Sequence, residues 1–395
     1  GQLALAVVLL FGSVVLARSL YRLLQQDLGF NPQHVLILHT TMNGDEYNNR
    51  NLATSIYLPQ LQRIRQLPGV QTAGLVTFLP LSLGNADGDF KIVGRAEADN
   101  VHSPRANLNA ASDDYFRAMQ IPLMQGRFFS ESDGLGAPRV AIVNDELAHK
   151  YFAGQDPVGK QIVFSDPDSA AARPLTIVGV VHGSRQRTLA APPQAEIYFS
   201  MRQIPNNTIW SQFFLRSIMT YVVRSEGKPE AQTAAVQAAI QGVEPGETVF
   251  DVRPMEDVVS HFVEDRRLSL VLLGSFAGLA LIVAAAGLFA MLSYSVRQRT
   301  QEIAVRMALG ASHADVLQLI GRHALRLTVI GLGAGVVAAI VAGNLAASML
   351  FGVQSWDPVT LCATTLTLLL VALPSAFFPA HRAASVNVLE ALRTE

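Results

Sequence analysis

Three long stretches near the C-terminus contain no Asp, Glu, Lys or Arg, and they occupy positions 268–296, 327–353 and 359–380. Each is as long as the roughly 20 apolar residues that an α-helix needs to cross the hydrocarbon core of a bilayer. The last two are separated only by a short turn that contains Gly352 and Pro358. The pattern therefore predicts a lipid-embedded helical domain, 266–395, in which the last two spans form a hairpin.

A fourth apolar stretch, Leu3–Ala17, lies at the N-terminus and ends at Arg18. It is shorter than a complete span. A secretory signal peptide begins with a charged region and ends in small residues at a cleavage site, and this stretch has neither. We expect residues 1–24 to be a truncated first transmembrane helix with its outer extension, which gives four membrane helices in total.

The composition agrees with a bilayer as one partner of the chain. Half of the residues, 50%, are hydrophobic, and only 15% are charged. The formal net charge of -1 gives no support for nucleic-acid binding. The single cysteine, Cys362, falls inside the last predicted span, so no intramolecular disulfide is possible.

The arginines set the orientation of the spans. Five lie in the link between the first two stretches, and the turn 352–358 has no Lys or Arg. By the positive-inside rule the link is cytoplasmic and the turn is outside. Residues 25–265 are then expected outside the membrane. The arginines of the link are Arg297, Arg299, Arg306, Arg322 and Arg326.

The outer segment 25–265 is long enough for one or two compact subdomains. Two β-α-β patterns, within 25–112 and 215–265, predict an α+β fold in which both units pair into one sheet. The segment 113–214 between them is predicted to be a smaller, β-rich insertion. The predicted elements are strands 35–42, 70–78, 139–143, 161–164, 175–181, 196–199, 221–224 and 248–252, and helices 47–67, 144–152 and 229–242.

The segment Met255–Arg267 has a helical pattern and runs directly into the first apolar stretch at Leu268. We expect the outer domain and the first complete span to share one stiff helix. Rotation of the membrane helix would then move the outer domain.

One segment resembles a phosphate-binding loop. Gly154, Gly159 and Lys160 have the spacing of G-x-x-x-x-G-K-[ST], but Gln161 replaces the hydroxyl residue that would bind Mg²⁺. A strand, and no helix, is predicted to follow, so there is no helix N-terminus to hold phosphate. We interpret the segment as a turn between a short helix and a strand.

The remaining polar residues do not form a catalytic or metal-binding pattern, so no catalytic residue, metal or cofactor is predicted. Isolated histidines on polar segments, His102, His149 and His182, are expected at the solvated surface. The basic loop Arg185–Arg187 is interpreted as a solvated turn, with contact to a partner as the alternative.

The cytoplasmic link contains an amphipathic segment at about 301–311. Ile303 and Met307 share one helical face, while Glu302 and Arg306 are four residues apart and can pair on another. Gly310 ends the pattern. Such a helix fits docking into a groove of a soluble partner, or anchoring at the lipid headgroups. Periodicity alone does not distinguish these two roles.

The segment Glu302–Ala311, EIAVRMALGA, resembles the coupling-helix signature of FtsX-type ABC permeases, the group that includes MacB and the lipoprotein-release permeases. One departure is Asn387-Val388, where many relatives carry a proline, so the resemblance does not define the geometry of the tail. Further stretches similar to the periplasmic core domain and closing segment of MacB-like permeases are Asp114–Met119, Gly126–Phe128, Val140–Asn144, Asp156–Lys160, Pro379–Ala384 and Leu389–Arg393.

The resemblance implies a multi-pass protein of the bacterial inner membrane with a large periplasmic domain. It implies a dimer, either a homodimer or the pseudo-dimer of a tandem permease of the acidobacterial type, that binds a separate ATPase and transmits its motion to the periplasmic domain in efflux. A periplasmic membrane-fusion adaptor and an outer-membrane channel are further implied partners. The residues assigned to the ATPase contact are Glu302, Ile303, Arg306, Met307, Ala308, Leu309, Gly310 and Ala311.

Three alternative functions stay open. Relatives of the FtsX type gate an extracytoplasmic hydrolase, and others release lipoproteins. A membrane-tethered enzyme is the third, although the sequence offers no nucleophile, base or metal pattern for it.

Overall fold

The structure, a computed structural model, describes residues 2–42, 44–82, 84–95, 104–164, 173–206, 208–298, 313–345 and 358–384. The chain divides into two compact units. One consists of Gly1–Gln25 with Val263–Glu395, and the other, called here the outer unit, is Gln26–Phe262.

The described part of the outer unit is built on an eleven-stranded sheet. The strands are β1 (Val35–Thr41), β2 (Val70–Val76), β3 (Asp87–Ile92), β4 (Arg105–Ala111), β5 (Leu123–Gly126), β6 (Val140–Asn144), β7 (Gln161–Phe164), β8 (Leu175–Val181), β9 (Glu196–Ser200), β10 (Met219–Ser225) and β11 (Thr248–Pro254).

The first four neighbours in this sheet come from the two β-α-β units. Their order is β11-β1-β10-β2, and all three pairings are antiparallel. In the central pair, Val35 lies opposite Arg224 and Thr40 opposite Met219. The predicted pairing of the two distant units into one sheet is therefore confirmed.

Six of the other seven strands form a closed ring. Neighbouring strands of the ring pair in the order β4-β3-β7-β8-β6-β9, and β9 pairs back to β4 in parallel. Strand β5 pairs with β8 outside this ring. One residue pair, Val76 with Ala111, joins the ring to the first four strands. Strands β3 and β4 lie within 25–112 and yet hydrogen-bond to β7 and β9, strands of the 113–214 segment.

Short helices cover the first part of the sheet. A π-helical turn, Ala53–Tyr57, leads into α2 (Leu58–Arg65), and a 3₁₀ turn, Pro229–Gln232, leads into α6 (Thr233–Gln241). Their apolar side chains are buried with those of the strands, because only one face of each helix packs on the sheet. Fully buried members of this core include Tyr57, Leu61, Ile64, Val236, Ile240, Leu36, Leu38 and Tyr221.

Three further helices of the outer unit are α3 (Tyr115–Met119), α4 (Asp145–Tyr151) and α5 (Ile209–Ser211). Helix α4 begins where the side chain of Asn144 accepts a 3.0 Å hydrogen bond from the Leu147 N–H. Asn144 is therefore both the last residue of β6 and the N-cap of α4, so the strand leads directly into the helix.

The described residues of the other unit form helices: α1 (Gln2–Leu24), α7 (Met255–Gln298, which begins in the outer unit), α8 (His313–Leu345) and α9 (Pro358–Ala384). Among the described residues, two helical segments have the length and hydropathy to cross a membrane, Ala4–Leu24 and Met255–Met291. Val329–Leu345 and Pro358–Val371 are shorter apolar helices. Two of the four predicted membrane helices therefore meet this criterion within the described part of the chain.

Candidate functional site

The predicted ATPase contact lies between helices α7 and α8, which are described up to Gln298 and from His313. The contact residues themselves lie outside the described residues. These are Glu302, Ile303, Arg306, Met307, Ala308, Leu309, Gly310 and Ala311.

The helices that frame this link share an apolar core. Side chains of α1 pack with residues of α7, α8 and α9, so all four helices contribute to one cluster. Its buried members are Ala6, Val7, Phe11, Val15, Ala284, Leu332, Ala339 and Leu368. Packing of this kind is required for one helix to displace another, because a loose contact would absorb the movement.

Helices α1 and α8 approach closely at Gly335. A Cβ placed there would lie 2.6 Å from Val7 Cγ2 and 3.0 Å from Ala4 Cα. Small residues at helix interfaces permit such close backbone approach in membrane proteins. By contrast, a Cβ at Gly333, two residues earlier, would meet nothing within 4 Å.

A polar contact joins α1 to α9 in the same unit. Arg18 Nη1 donates a 3.5 Å hydrogen bond to Thr360 Oγ1, and Thr364 Oγ1 donates to the carbonyl of Thr360 at 2.8 Å. Both threonine side chains are buried. The contact places the guanidinium of Arg18 against the first turn of α9.

The interior of the outer unit holds a carboxyl group, that of Glu196 at the start of β9. Its oxygens accept hydrogen bonds from Gln186 Nε2 at 2.8 Å and from Asn109 Nδ2 at 3.3 Å. Burial raises the pKa of Glu196 from 4.5 to about 7, although hydrogen bonds to Tyr198, Asn109 and Gln186 oppose the shift. This group therefore exchanges protons near neutral pH.

Aromatic side chains border an open groove of 410 Å³ on the outer unit. The Trp210 ring stacks on Phe214 with centroids 5.3 Å apart, and meets Phe199 edge-on at 5.1 Å. Phe213 and Ile209 expose 46% and 63% of their surface at its rim. The groove is therefore open to solvent, and Asp87 and Asp89 line it together with these aromatic side chains.

The segment that resembles a phosphate-binding loop is a turn between α4 and β7, as predicted. Gly154 and Gly159 have φ angles of +77° and +84°, which glycine adopts without strain, and Gln161 begins the strand. Among the described residues no group of three His, Cys, Asp or Glu side chains is placed to hold a metal ion.

Two loop residues that were predicted to be solvated are partly exposed and also bind neighbouring groups. The His182 ring nitrogens lie 3.1 Å and 2.8 Å from carboxylate oxygens of Asp27 and Asp145, and the Arg185 side chain donates hydrogen bonds to three residues. The sequence carries no local signal for these contacts, because Asp27 lies 155 residues before His182. His149 and Arg187 are exposed as predicted, and His102 lies outside the described residues.

Comparison with known proteins identifies two family segments. The profile described as MacB-like periplasmic core domain matches residues 3–243, and the profile described as FtsX-like permease C-terminal matches residues 274–388. The first covers more than half of the chain.

Curated relatives are similar over most of the chain. The uncharacterized ABC transporter permease YknZ of Bacillus subtilis (strain 168) is 25% identical over 73% of this chain and 70% of its own length. The pyoverdine export ATP-binding/permease protein PvdT of Pseudomonas syringae pv. tomato is 27% identical over 90% of this chain and 51% of its own length. The macrolide export ATP-binding/permease protein MacB of Azoarcus sp. (strain BH72) is 29% identical over 75% of this chain and 44% of its own length. The chain thus spans about half the length of PvdT and MacB.

Two solved structures are also similar. The periplasmic region of MacB from Actinobacillus actinomycetemcomitans matches with a TM-score of 0.40 and 14% identity, over 62% of this chain and 98% of that one. The extracellular domain of YknZ from Gram-positive bacteria matches with a TM-score of 0.34 and 16% identity, over 55% of this chain and 100% of that one. The two profile matches and the similarity to curated permeases establish that the chain belongs to the family of MacB/FtsX-like ABC transporter permeases.

Proposed function

We propose that this chain is the membrane subunit of an exporter in which motion of a separate ATPase is carried to the outer unit. The observation that carries the proposal is α7, a single helix from Met255 to Gln298. It begins directly after β11 of the outer unit and contains the first apolar stretch. A continuous helix transmits rotation or translation better than a flexible linker does.

We assign the contact with the ATPase to the cytoplasmic link that follows α7. Glu302–Ala311 contacts the ATPase, with Arg306 and Met307 as the anchoring side chains. An arginine and a flexible apolar side chain on a short helix suit a groove with an acidic edge and an apolar floor. The chain contributes binding and movement, and ATP hydrolysis takes place in the partner.

The arginines of the link support a cytoplasmic position for this contact, and the outer unit is then periplasmic. The protein accordingly resides in the bacterial inner membrane and acts as a dimer. An adaptor and an outer-membrane channel complete the export route in this proposal.

Export is preferred because relatives over much of this chain bear the names of pyoverdine and macrolide export proteins. Gating of a hydrolase and release of a lipoprotein are the competing roles. Co-purification from native membranes distinguishes them, because a bound hydrolase or lipoprotein in place of an adaptor and channel would contradict export.

The ATPase contact is tested in proteoliposomes that hold the chain and its co-purifying ATPase. Met307→Asp places a charge on the apolar face, and Ala308→Pro breaks the helix at a cost of roughly 3 kcal/mol. Both are expected to abolish stimulation of ATP hydrolysis. His313→Ala, in the same link but beyond the contact, serves as the control. Unchanged turnover in both contact variants would contradict the proposal.

A further inference from the structure

The loop between β8 and β9, His182–Ala191, contacts the segment Gln26–Gly29 that follows α1 in the chain. Arg185 makes most of the contact. Its N–H donates to the Leu28 carbonyl at 3.1 Å, and its Nε donates to the Asp27 carbonyl at 2.9 Å. Two backbone carbonyls of the segment are therefore bound by one residue of the loop.

The remaining guanidinium nitrogens of Arg185 extend the contact. Nη2 donates a 2.7 Å hydrogen bond to Gln26 Oε1, and Nη1 donates a 2.5 Å bond to the Ala191 carbonyl at the other end of the loop. The planar guanidinium holds its donors in a fixed arrangement, so little side-chain freedom is lost per bond. Arg185 thus ties the segment to Ala191 as well as to its own position in the loop.

His182 adds two contacts with carboxylate groups. Its Nε2 lies 3.1 Å from Asp27 Oδ2, and its Nδ1 lies 2.8 Å from Asp145 Oδ2 on the first turn of α4. The Gly183 N–H donates to the second oxygen of Asp145 at 2.8 Å. The imidazole therefore bridges the segment after α1 to a capped helix of the outer unit.

The backbones of the segment and the loop meet where neither has a side chain. Gly29 has a φ of +78°, and a Cβ built on it would lie 2.2 Å from the Gly183 carbonyl oxygen. Any other residue at position 29 would be strained and would also push the segment away from the loop.

The loop is itself fixed to the ring. Gln186 donates to the buried carboxyl of Glu196 at 2.8 Å, and its carbonyl accepts a 2.9 Å hydrogen bond from the Leu81 N–H. The segment Gln26–Gly29 is therefore connected to the ring through a continuous set of hydrogen-bonded groups.

We propose that His182–Ala191 is a latch that fastens the segment after α1 to the ring of the outer unit and tightens when His182 is protonated. An imidazolium donates to both Asp27 and Asp145, whereas neutral imidazole has a single N–H. The latch is a second point, besides α7, at which the outer unit is held to a membrane helix in the chain, and its consequence for transport rests on the proposed function.

The electrostatics agree with this geometry. Burial alone lowers the pKa of His182, but hydrogen bonds and charge from Asp145 and Asp27 outweigh it and raise the pKa above 6.5. The pKa of Asp27 is lowered, chiefly by the hydrogen bond from the Gly29 N–H and also by His182 and Arg185, so it stays ionised near neutral pH. Protonation of His182 therefore strengthens the contact below its pKa, and the contact weakens as pH rises through it.

Hydrogen-deuterium exchange of Gln26–Phe30, measured on the full chain in lipid nanodiscs, tests the latch. Arg185→Ala is expected to speed exchange there roughly 10- to 100-fold, the effect of removing hydrogen bonds made by a charged group. Gly29→Ala is expected to act in the same direction. Arg187→Ala, two residues along the same loop and exposed, is the matched control. Exchange in Arg185→Ala that equals that of Arg187→Ala would overturn the latch.

The effect of His182 protonation is tested separately, with the variant His182→Gln. Protection of Gln26–Phe30, corrected for intrinsic exchange rates, is expected to be greater at about pH 6 than at about pH 8, and His182→Gln is expected to abolish the difference. Glu196 titrates in the same range, so Glu196→Gln is compared in parallel. A pH dependence that persists in His182→Gln and disappears in Glu196→Gln would contradict the assignment to His182. These readouts need no ATPase, so their failure is separable from failure of the proposed function.

Discussion

The Nε atom of Arg224 donates a 2.7 Å hydrogen bond to the carbonyl oxygen of Ala118, at the C-terminal end of α3, from a side chain that is 4% exposed. The two terminal nitrogens donate to the carbonyls of Gln33 at 2.7 Å and Asn31 at 2.8 Å. One buried guanidinium on β10 therefore fixes both the entry to β1 and the end of α3.

Arg224→Met is expected to destabilise the outer unit by about 3 kcal/mol, because it leaves three carbonyl oxygens without their donors. Chemical unfolding of the full chain in detergent, followed by tryptophan fluorescence, measures the loss. Lys228→Ala, an exposed cation shortly after the same strand, should change the free energy of unfolding by less than about 0.5 kcal/mol. Equal effects of the two variants would contradict the role of Arg224.

The raised pKa of Glu196 makes stability depend on pH. Its pKa is about 7 in the folded state against 4.5 ordinarily, so the folded chain binds the proton more tightly. Stability contributed by this group is full below about pH 4.5 and falls as pH rises toward 7, by about 3 kcal/mol in all.

Glu196→Gln removes this titration while keeping an amide in the polar network. The variant is expected to melt at a higher temperature than the parent chain at about pH 8, and with a flatter pH profile between about pH 5 and 8. Thermal melts of the parent and variant across this range test the expectation. A variant profile as steep as that of the parent would show that another group is responsible.

Gly335 and Gly333 on α8 form a matched pair for the helix contact with α1. An alanine at an open helical position is expected to be favourable by up to about 1 kcal/mol, and this applies to Gly333→Ala. At Gly335 the added Cβ meets Val7 at 2.6 Å, so Gly335→Ala is expected to be destabilising. Melting temperatures in the same detergent measure both. Shifts of the same sign would contradict the close approach.

Eight of the eleven described strands of the outer unit were predicted from the sequence, and β3, β4 and β5 were not. Strand β7 was predicted at 161–164, where the structure has Gln161–Phe164, and the pairing of the two β-α-β units followed from their matching order. The helices were predicted too long, because apolar spacing does not separate a π-helical or 3₁₀ turn from the α-helix that follows it.

Contacts between distant segments could not be predicted. The pairing of β4 with β9 and the contact of His182 with Asp27 depend on which segments the fold brings together, and neither leaves a local pattern. The ATPase contact Glu302–Ala311 rests on the resemblance and the amphipathic spacing, since it lies outside the described residues.

In the proposed function, movement passes from the cytoplasmic link through α7 to the outer unit. Exchange at Met255–Phe262, the outer end of α7, measures this directly in nanodiscs that hold the chain with its ATPase, with and without ATP and vanadate. We expect a nucleotide-dependent change in exchange that is present in the parent chain and in His313→Ala and is absent in Met307→Asp. No change in the parent chain, or an undiminished change in Met307→Asp, would contradict it.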